Sequence, residues 1–168
     1  GVPVFTLGVG SQEAATDIAI EEILGGKRAL FNLTRELILE GVPTLLPPER
    51  VVIEVLESTV VDDKLIKALR KLRTQGYTIA LDDWMAFSKL QPLLGVADLV
   101  KIDVQAFDPK RLAAEVGWLR TYGVQLVAEK VETYAELRRC RDLGFEFFQG
   151  FFLSRPEILR RTAVPPNQ

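Results

Sequence analysis

The chain has 168 residues, of which 48% are hydrophobic and 26% are charged, a composition typical of one globular domain with a sizeable core. Its 21 basic and 23 acidic residues give a net charge of −2 without an extended basic stripe, which argues against polymeric nucleic acid as a partner. Histidine is absent, which excludes Ser-His-Asp triads and zinc sites or general bases that depend on imidazole.

Cysteine usage and hydropathy suggest the compartment. The single cysteine, Cys140, cannot form an internal disulfide, and no stretch approaches the roughly 18 apolar residues of a membrane span. We therefore expect a cytoplasmic protein without membrane contact. Because the chain opens with Gly1 and its only methionine is Met85, we interpret it as a processed or excised piece of a longer protein.

Four segments have the apolar spacing of helices, over 11–24, 62–74, about 108–121 and 133–143. A glycine follows each of the last three, at Gly76, Gly123 and Gly144, where a helix end favours a left-handed residue. The residues after the last helical pattern include a long tail without periodicity. We expect residues 1–160 to form one domain and 161–168 a linker or disordered tail.

Six short apolar runs alternate with these helices, and each ends at an acidic or amide residue. Buried parallel strands have this pattern, and in α/β barrels their carboxyl ends carry the chemistry. A complete eightfold barrel needs about 250 residues, so we predict an incomplete barrel of about six parallel strands with an acidic pocket. The runs are Ala29–Asn32, Val51–Glu54, Ile79–Asp83, Leu99–Asp103, Gln125–Glu129 and Phe147–Gln149.

Several of these strand ends have two interpretations. Asp82 and Asp83 could bind paired divalent cations, or one could cap a turn while the other is solvated. A carboxylate at Glu54, inside an apolar strand, needs either a metal or a structural salt bridge. Lys101 could contact a phosphate or a metal-bound water, or could pair with Asp103 on the same strand face.

The remaining candidates lie at the last strand ends. Glu129 and Glu132 are candidate general bases in a chain without histidine, or else solvated loop glutamates. Asn32 and Gln149 could contact a phosphate or a hard cation, or could tie down a loop. An oxygen-only ligand set favours Mg²⁺ or Mn²⁺, ions that commonly serve phosphoester chemistry.

The strand ends and the loops after them contain an ordered series of motifs across about residues 28–156. The motifs are Asn32-Leu-Thr34, Glu54-Val-Leu-Glu57, Ala80-Leu-Asp82-Asp83-Trp84, Lys101-Ile-Asp103, Ala128-Glu129-Lys-Val-Glu132-Thr133, Gln149-Gly150-Phe151 and Ser154-Arg155-Pro156. In this order they resemble the EAL domain family. That family contains cyclic di-GMP phosphodiesterases with a modified TIM barrel that use Mg²⁺ or Mn²⁺, and members that have lost catalysis and act as receptors or scaffolds.

The resemblance implies a role for each matched residue. Two are implied to be catalytic, with Lys101 positioning a water and Glu129 as the general base. Three are implied to have supporting roles. Glu57 anchors the loop after the aspartate pair, and Glu132 and Gln149 support the site and its ligand. The implied metal ligands are Asn32, Glu54, Asp82 and, for a second metal, Asp83.

Two departures from the family predict weak or absent turnover. Residues 1–10 contain no glutamate, so the Glu-Ala-Leu signature is absent and we expect its strand to be missing. The pair Glu13-Ala14 lies in a predicted helix and does not replace it. The family's DDFGTGYSSL loop is here Asp82-Asp-Trp-Met-Ala-Phe-Ser-Lys-Leu90, without either glycine.

The motif wording and the tail ending Val164-Pro-Pro-Asn-Gln168 resemble the EAL half of proteins that continue into an HDOD domain. We therefore expect a degenerate domain acting through protein contacts or residual cyclic di-GMP binding. The first alternative is a phosphodiesterase whose glutamate lies on a strand outside this chain, and the second is an unrelated metal-dependent barrel enzyme. Open sheet edges predict self-association.

Overall fold

The computed structural model describes the backbone of residues 6–8 and all of residues 28–150. Seven parallel strands form one sheet whose spatial order equals their order in the chain. This arrangement follows from right-handed crossovers that return each strand beside the one before it. The strands are β1 (Thr6–Gly8), β2 (Ala29–Leu33), β3 (Val51–Val55), β4 (Thr78–Leu81), β5 (Leu99–Asp103), β6 (Gln125–Glu129) and β7 (Phe147–Phe148).

Four α-helices and three short 3₁₀ helices connect these strands within the described residues. The α-helices are α1 (Arg35–Leu39), α2 (Asp63–Thr74), α3 (Pro109–Arg120) and α4 (Tyr134–Leu143). The 3₁₀ helices are Val42–Leu45, Pro48–Arg50 and Gln91–Leu93. None of the helices in the described part of the chain is long and apolar enough to cross a membrane.

The three longer helices begin where their sequences place capping side chains. The Asp62 carboxylate accepts from the Leu65 amide, and Asp108 accepts from two amides at the start of α3. Thr133 and Glu136 form a reciprocal capping box at the start of α4. These caps confirm the helices predicted over 62–74, 108–121 and 133–143, whereas the helix predicted over 11–24 lies outside the described residues.

The glycines after these helices have the predicted left-handed backbone. The φ angles are +94° at Gly76, +74° at Gly123 and +98° at Gly144, a region that side-chain-bearing residues enter at a cost. At Gly144 the backbone amide also caps α4, donating to the carbonyls of Arg141 and Cys140. Each glycine therefore turns the chain from a helix into the next strand.

The core lies between the sheet and the helices that cover it. All five residues of β3 are buried, and α2 contributes Leu65, Leu69 and Leu72 to the same apolar cluster. Trp84, in the loop after β4, is also buried there. Fully buried central strands explain the continuous apolar runs of the sequence.

All six predicted strands are present, and within the described residues β1 and β7 are the two open edges of the sheet. The open parallel sheet confirms the predicted incomplete barrel. One detail differs, because we expected the strand before β2 to be missing and the structure has β1 there. That strand is only three residues long and has no acidic or amide residue at its end, the feature that identifies the other six.

Candidate functional site

Side chains from consecutive strands meet at the carboxyl ends of the sheet. The register pairs Asn32 of β2 with Glu54 of β3, so these two neighbours share one face of the sheet. Lys101 lies in β5 and Glu129 ends β6, while Asp82 follows β4 with its amide donating to the Val55 carbonyl at 3.0 Å. The fold therefore brings together residues from five successive strands.

A buried lysine occupies the centre of this cluster. The Lys101 ammonium nitrogen lies 2.6 Å from Glu54 Oε1, 2.7 Å from Asp82 Oδ1 and 2.9 Å from Glu129 Oε1. The side chains of Lys101 and Glu54 are 6% and 0% exposed, so this ion-pair network is almost entirely shielded from water. One cation thus compensates three carboxylates, which leaves the cluster with an excess of negative charge.

This environment shifts the ionisation of its members. Burial raises the pKa of both Glu54 and Glu129, and the nearby Lys101 opposes that shift only in part. Burial alone would lower the pKa of Lys101, but the carboxylates of Glu129, Glu54 and Asp82 outweigh it and raise that pKa above its ordinary value. The lysine is therefore charged at every physiological pH.

The second aspartate of the pair sits in an unusual backbone conformation. Asp83 has a φ of +44°, which directs the chain away from the sheet immediately after β4. One carboxylate oxygen from each of Asp82, Asp83 and Glu129 lies within 4.8 Å of the others. Desolvation, with repulsion from Asp82 and then Glu57, raises the pKa of Asp83.

The donor set fits a hard divalent cation. Among the described residues, Asn32 Oδ1 and Glu54 Oε2 are buried acceptors that receive no hydrogen bond. Buried oxygens without a donor are costly unless a cation or ordered water meets them. The grouped carboxylate oxygens of Asp82, Asp83 and Glu129, and these two acceptors on neighbouring strands, are all oxygen ligands of the kind that Mg²⁺, Mn²⁺ and Ca²⁺ prefer.

The three predicted supporting residues lie at the rim. Glu57 is exposed in the turn after β3, close enough for its charge to affect Asp83. Glu132 is exposed after β6, and its backbone amide donates to the Glu136 carboxylate. Gln149 is half-buried after β7, with its backbone bonded to Ala128 and Val131.

These contacts bear on two of the alternative interpretations. Glu54 does form a buried salt bridge, with Lys101. The alternative pairing of Lys101 with Asp103 is wrong, because Asp103 instead pairs with Lys130 at 2.5 Å, across the end of β6. Sequence reasoning missed Lys130, although it lies within the Glu129–Glu132 motif, because its φ of +55° is what turns it toward Asp103.

A cavity of about 430 Å³ opens after the carboxyl ends of β2 and β3, and none of its lining residues belongs to the carboxylate cluster. Thr34 and Arg35, just after β2, line it together with Leu56, Ser58 and Thr59, just after β3. The Arg35 guanidinium pairs with the Asp62 carboxylate, and both residues line the cavity. The cavity and the carboxylate cluster are therefore separate features with no lining residue in common.

Comparison with known proteins assigns the chain to a family. The EAL domain model matches residues 24–156, and the chain belongs to the EAL domain family. Among curated proteins it is 36% identical over 151 residues to YuxH of Bacillus subtilis, an uncharacterized protein. It is 34% identical over 142 residues to CdgJ of Vibrio cholerae, which is named a cyclic di-GMP phosphodiesterase.

The match covers most of this chain and a smaller part of its relatives. It includes 85% of this chain and 36% of YuxH, and 83% of this chain and 33% of CdgJ. The chain thus spans about a third of the length of these two proteins.

Solved EAL structures have the same fold. BlrP1 of Klebsiella pneumoniae, in a complex with calcium and cyclic di-GMP, superposes with a TM-score of 0.66 and 30% identity, over 83% of this chain and 41% of that chain. This similarity confirms the predicted EAL-type barrel.

Proposed function

We propose that this chain is an EAL domain that binds cyclic di-GMP in a bacterial signalling protein, with little or no phosphodiesterase turnover of its own. The observation that carries the second half of the proposal is the register of β1, which places Gly8 beside Asn32. Gly8 therefore extends the row formed by Asn32 of β2 and Glu54 of β3, and a glycine offers no side-chain oxygen at that position.

Ligand binding is supported by the cluster and by one relative. BlrP1, which is 30% identical to this chain, was crystallised with calcium and cyclic di-GMP. Here Asn32, Glu54, Asp82 and Asp83 would hold Mg²⁺ or Mn²⁺, which would screen the phosphate charge and polarise its oxygens. Glu132 and Gln149 at the rim, with Glu57 behind Asp83, would support the dinucleotide and the loop.

Weak turnover follows from three features of the chain's own residues. Gly8 supplies no carboxylate, and the loop after Asp83 contains none of the glycines found in the family's loop. Lys101 and Glu129, the residues proposed to hold and deprotonate a water, are 2.9 Å apart in an ion pair. The ammonium occupies a Glu129 oxygen that would otherwise receive the proton of that water, which opposes catalysis even though burial raises the pKa of Glu129.

A phosphodiesterase is the alternative, and the name of CdgJ favours it. In that case a glutamate from a part of the protein outside this chain would complete the ligand row beside Asn32. Lys101 would then position the water and Glu129 would accept its proton. With either activity, we expect the chain to contact a protein partner. The partner would be an HDOD domain or a second copy of this chain paired at the open sheet edge.

The proposal is tested by titrating cyclic di-GMP into this chain and into the full-length protein, with and without Mn²⁺, by calorimetry. Product is followed in the same samples by chromatography of the linear dinucleotide. We expect saturable binding that Mn²⁺ strengthens and no steady product release. Sustained release of linear dinucleotide would establish the phosphodiesterase alternative, and absence of binding to either protein would overturn both.

A further inference from the structure

The loop after β4 holds a backbone conformation that its residues do not prefer. Asp83 and Phe87 both have left-handed φ angles, +44° and +63°, although neither is a glycine. Residues with side chains persist in this region only where surrounding contacts fix them. Phe87 is 99% exposed, so packing of its own side chain cannot be what fixes the loop.

Trp84 is the residue that fixes it. Its side chain is 1% exposed, and its backbone amide donates to the Lys101 carbonyl at 2.9 Å. Its indole nitrogen donates to Glu115 Oε1 on α3 at 2.8 Å, and its ring lies against Trp118 at a centroid distance of 6.2 Å. Trp84 therefore joins the loop both to β5 and to α3.

We propose that Glu115 is a positioning residue for the aspartate pair, acting through the Trp84 indole to hold Asp83 in its left-handed conformation. That conformation brings a carboxylate oxygen of Asp83 within 4.8 Å of oxygens of Asp82 and Glu129. The inference rests on the proposed function only in taking these oxygens as a cation site.

The chemistry of the contact explains why a hydrogen-bond acceptor is needed at this position. A buried indole N–H without an acceptor is destabilising, so Trp84 would leave its site if Glu115 were replaced by an apolar residue. The backbone of Asp83 would then relax to an ordinary negative φ, because a residue with a side chain is strained in the left-handed region. The Asp83 carboxylate would move out of the cluster. Asp82 would stay, because its backbone amide donates a separate hydrogen bond to the Val55 carbonyl.

The test compares Glu115→Leu with Glu115→Gln, which keeps an acceptor oxygen of the same shape. The first readout is hydrogen exchange of the Trp84 amide, and the second is Mn²⁺ affinity by calorimetry. In E115L we expect exchange at Trp84 to accelerate by about tenfold and Mn²⁺ binding to weaken by about tenfold, the scale of one lost hydrogen bond to a charged group. E115Q should stay within about twofold of the parent chain on both readouts.

A second variant protects the test against general destabilisation. Trp84→Phe removes the indole donor but keeps a ring in the pocket, and it should reproduce E115L, while W118F, which touches Trp84 without a hydrogen bond, should not. Faster exchange confined to residues 82–90 indicates positioning, whereas uniform acceleration that includes β3 would indicate a merely structural role and overturn the proposal.

The two readouts also separate this inference from the proposed function. If the parent chain binds neither Mn²⁺ nor cyclic di-GMP, the proposed function fails, and exchange at Trp84 still decides the inference. Unchanged Trp84 exchange in E115L would overturn the inference whether or not the cation binds.

Discussion

The ammonium nitrogen of Lys101 lies 2.6 Å from Oε1 of Glu54, a carboxylate with no exposed surface in a strand whose other four residues are all apolar. A lone charge in that position would lose several kcal/mol of solvation. Lys101 restores part of this energy and also contacts Asp82 and Glu129. The lysine therefore acts as the cluster's internal cation and would compete with a divalent cation for the charge of these carboxylates.

Replacing Lys101 by methionine should strengthen divalent cation binding. The change removes the positive charge that competes for Glu54, Asp82 and Glu129, and we expect Mn²⁺ affinity to increase by at least about tenfold. Calorimetry measures the affinity, and thermal melting with and without Mn²⁺ measures the accompanying stabilisation.

Lys130→Met is the matched control, because it removes the same charge from an exposed lysine that faces Asp103. Solvent screening should limit its effect on Mn²⁺ affinity to about twofold. Equal effects of the two substitutions would mean that only the net charge matters, and that Lys101 does not occupy the cation's place.

Substituting Glu54 by glutamine should stabilise the metal-free fold at neutral pH. The change removes one of three carboxylates that share a single ammonium, and Lys101 keeps the other two. Burial outweighs the attraction of Lys101 and raises the pKa of Glu54, so the ionised group costs free energy in the folded chain. We expect the free energy of unfolding to rise by about 1 kcal/mol, the equivalent of roughly one pKa unit. Urea unfolding gives this value, and a large fall would show that the ion pair with Lys101 outweighs the cost of burial.

Stability without metal should decrease as the pH rises above 4.5. Burial raises the pKa of Glu54 and Glu129 from that ordinary value in the folded state, so the folded chain holds these protons more tightly than the unfolded chain. Unfolding then releases protons, and the contribution of both groups to stability is lost as the pH passes through the raised pKa values. Urea midpoints across this range, compared with those of E129Q, measure the effect, which should be smaller in the variant.

Mn²⁺ binding should have the opposite pH dependence. Protons and the cation compete for the same carboxylates, and raised pKa values move this competition to higher pH. Affinity should therefore begin to fall on acidification while the pH is still well above 4.5. A calorimetric series from neutral to acidic pH tests this, and an affinity that stays constant down to the ordinary glutamate range would contradict it.

Replacing Gly8 by glutamate should add a ligand to the site. Gly8 pairs in register with Asn32, which pairs with Glu54, so a carboxylate there extends an existing row of oxygens. We expect about tenfold tighter Mn²⁺ binding and the appearance of measurable linear dinucleotide. Thr6→Glu, at the other end of the same strand, is the control and should change neither quantity.

Much of the fold could be read from the sequence because each element has its own local signal. Asp62, Asp108 and Thr133 mark helix starts, and Gly76, Gly123 and Gly144 mark their ends. The strand β1 was not predicted, because three residues carry no periodicity and its pairing depends on β2. The helix α1 is similarly too short to show a helical pattern by itself.

The sequence could predict that the candidate residues lie at neighbouring strand ends, but not which contacts they make. Parallel strand ends necessarily converge, so Asn32, Glu54 and Glu129 could be placed together from their positions alone. Which carboxylates Lys101 would meet depends on side-chain conformations and on the Lys130–Asp103 pair, neither of which strand spacing fixes. The Trp84–Glu115 bond joins residues 31 positions apart on a loop and a helix, and no periodic pattern reports such a contact.

The strictly sequential strand order has a mechanical consequence. Because β2, β3, β4 and β6 each contribute at least one side-chain oxygen, either within the strand or directly after it, a cation held there would connect these four strands at one edge, with β5 joined to them through the ion pairs of Lys101. Ligation would oppose the sliding of any of these strands past its neighbour. The metal and the nucleotide would therefore cross-link the carboxyl edge of the open sheet. Binding would then be communicated to whatever is joined to either end of the domain as a change in the rigidity of the whole sheet.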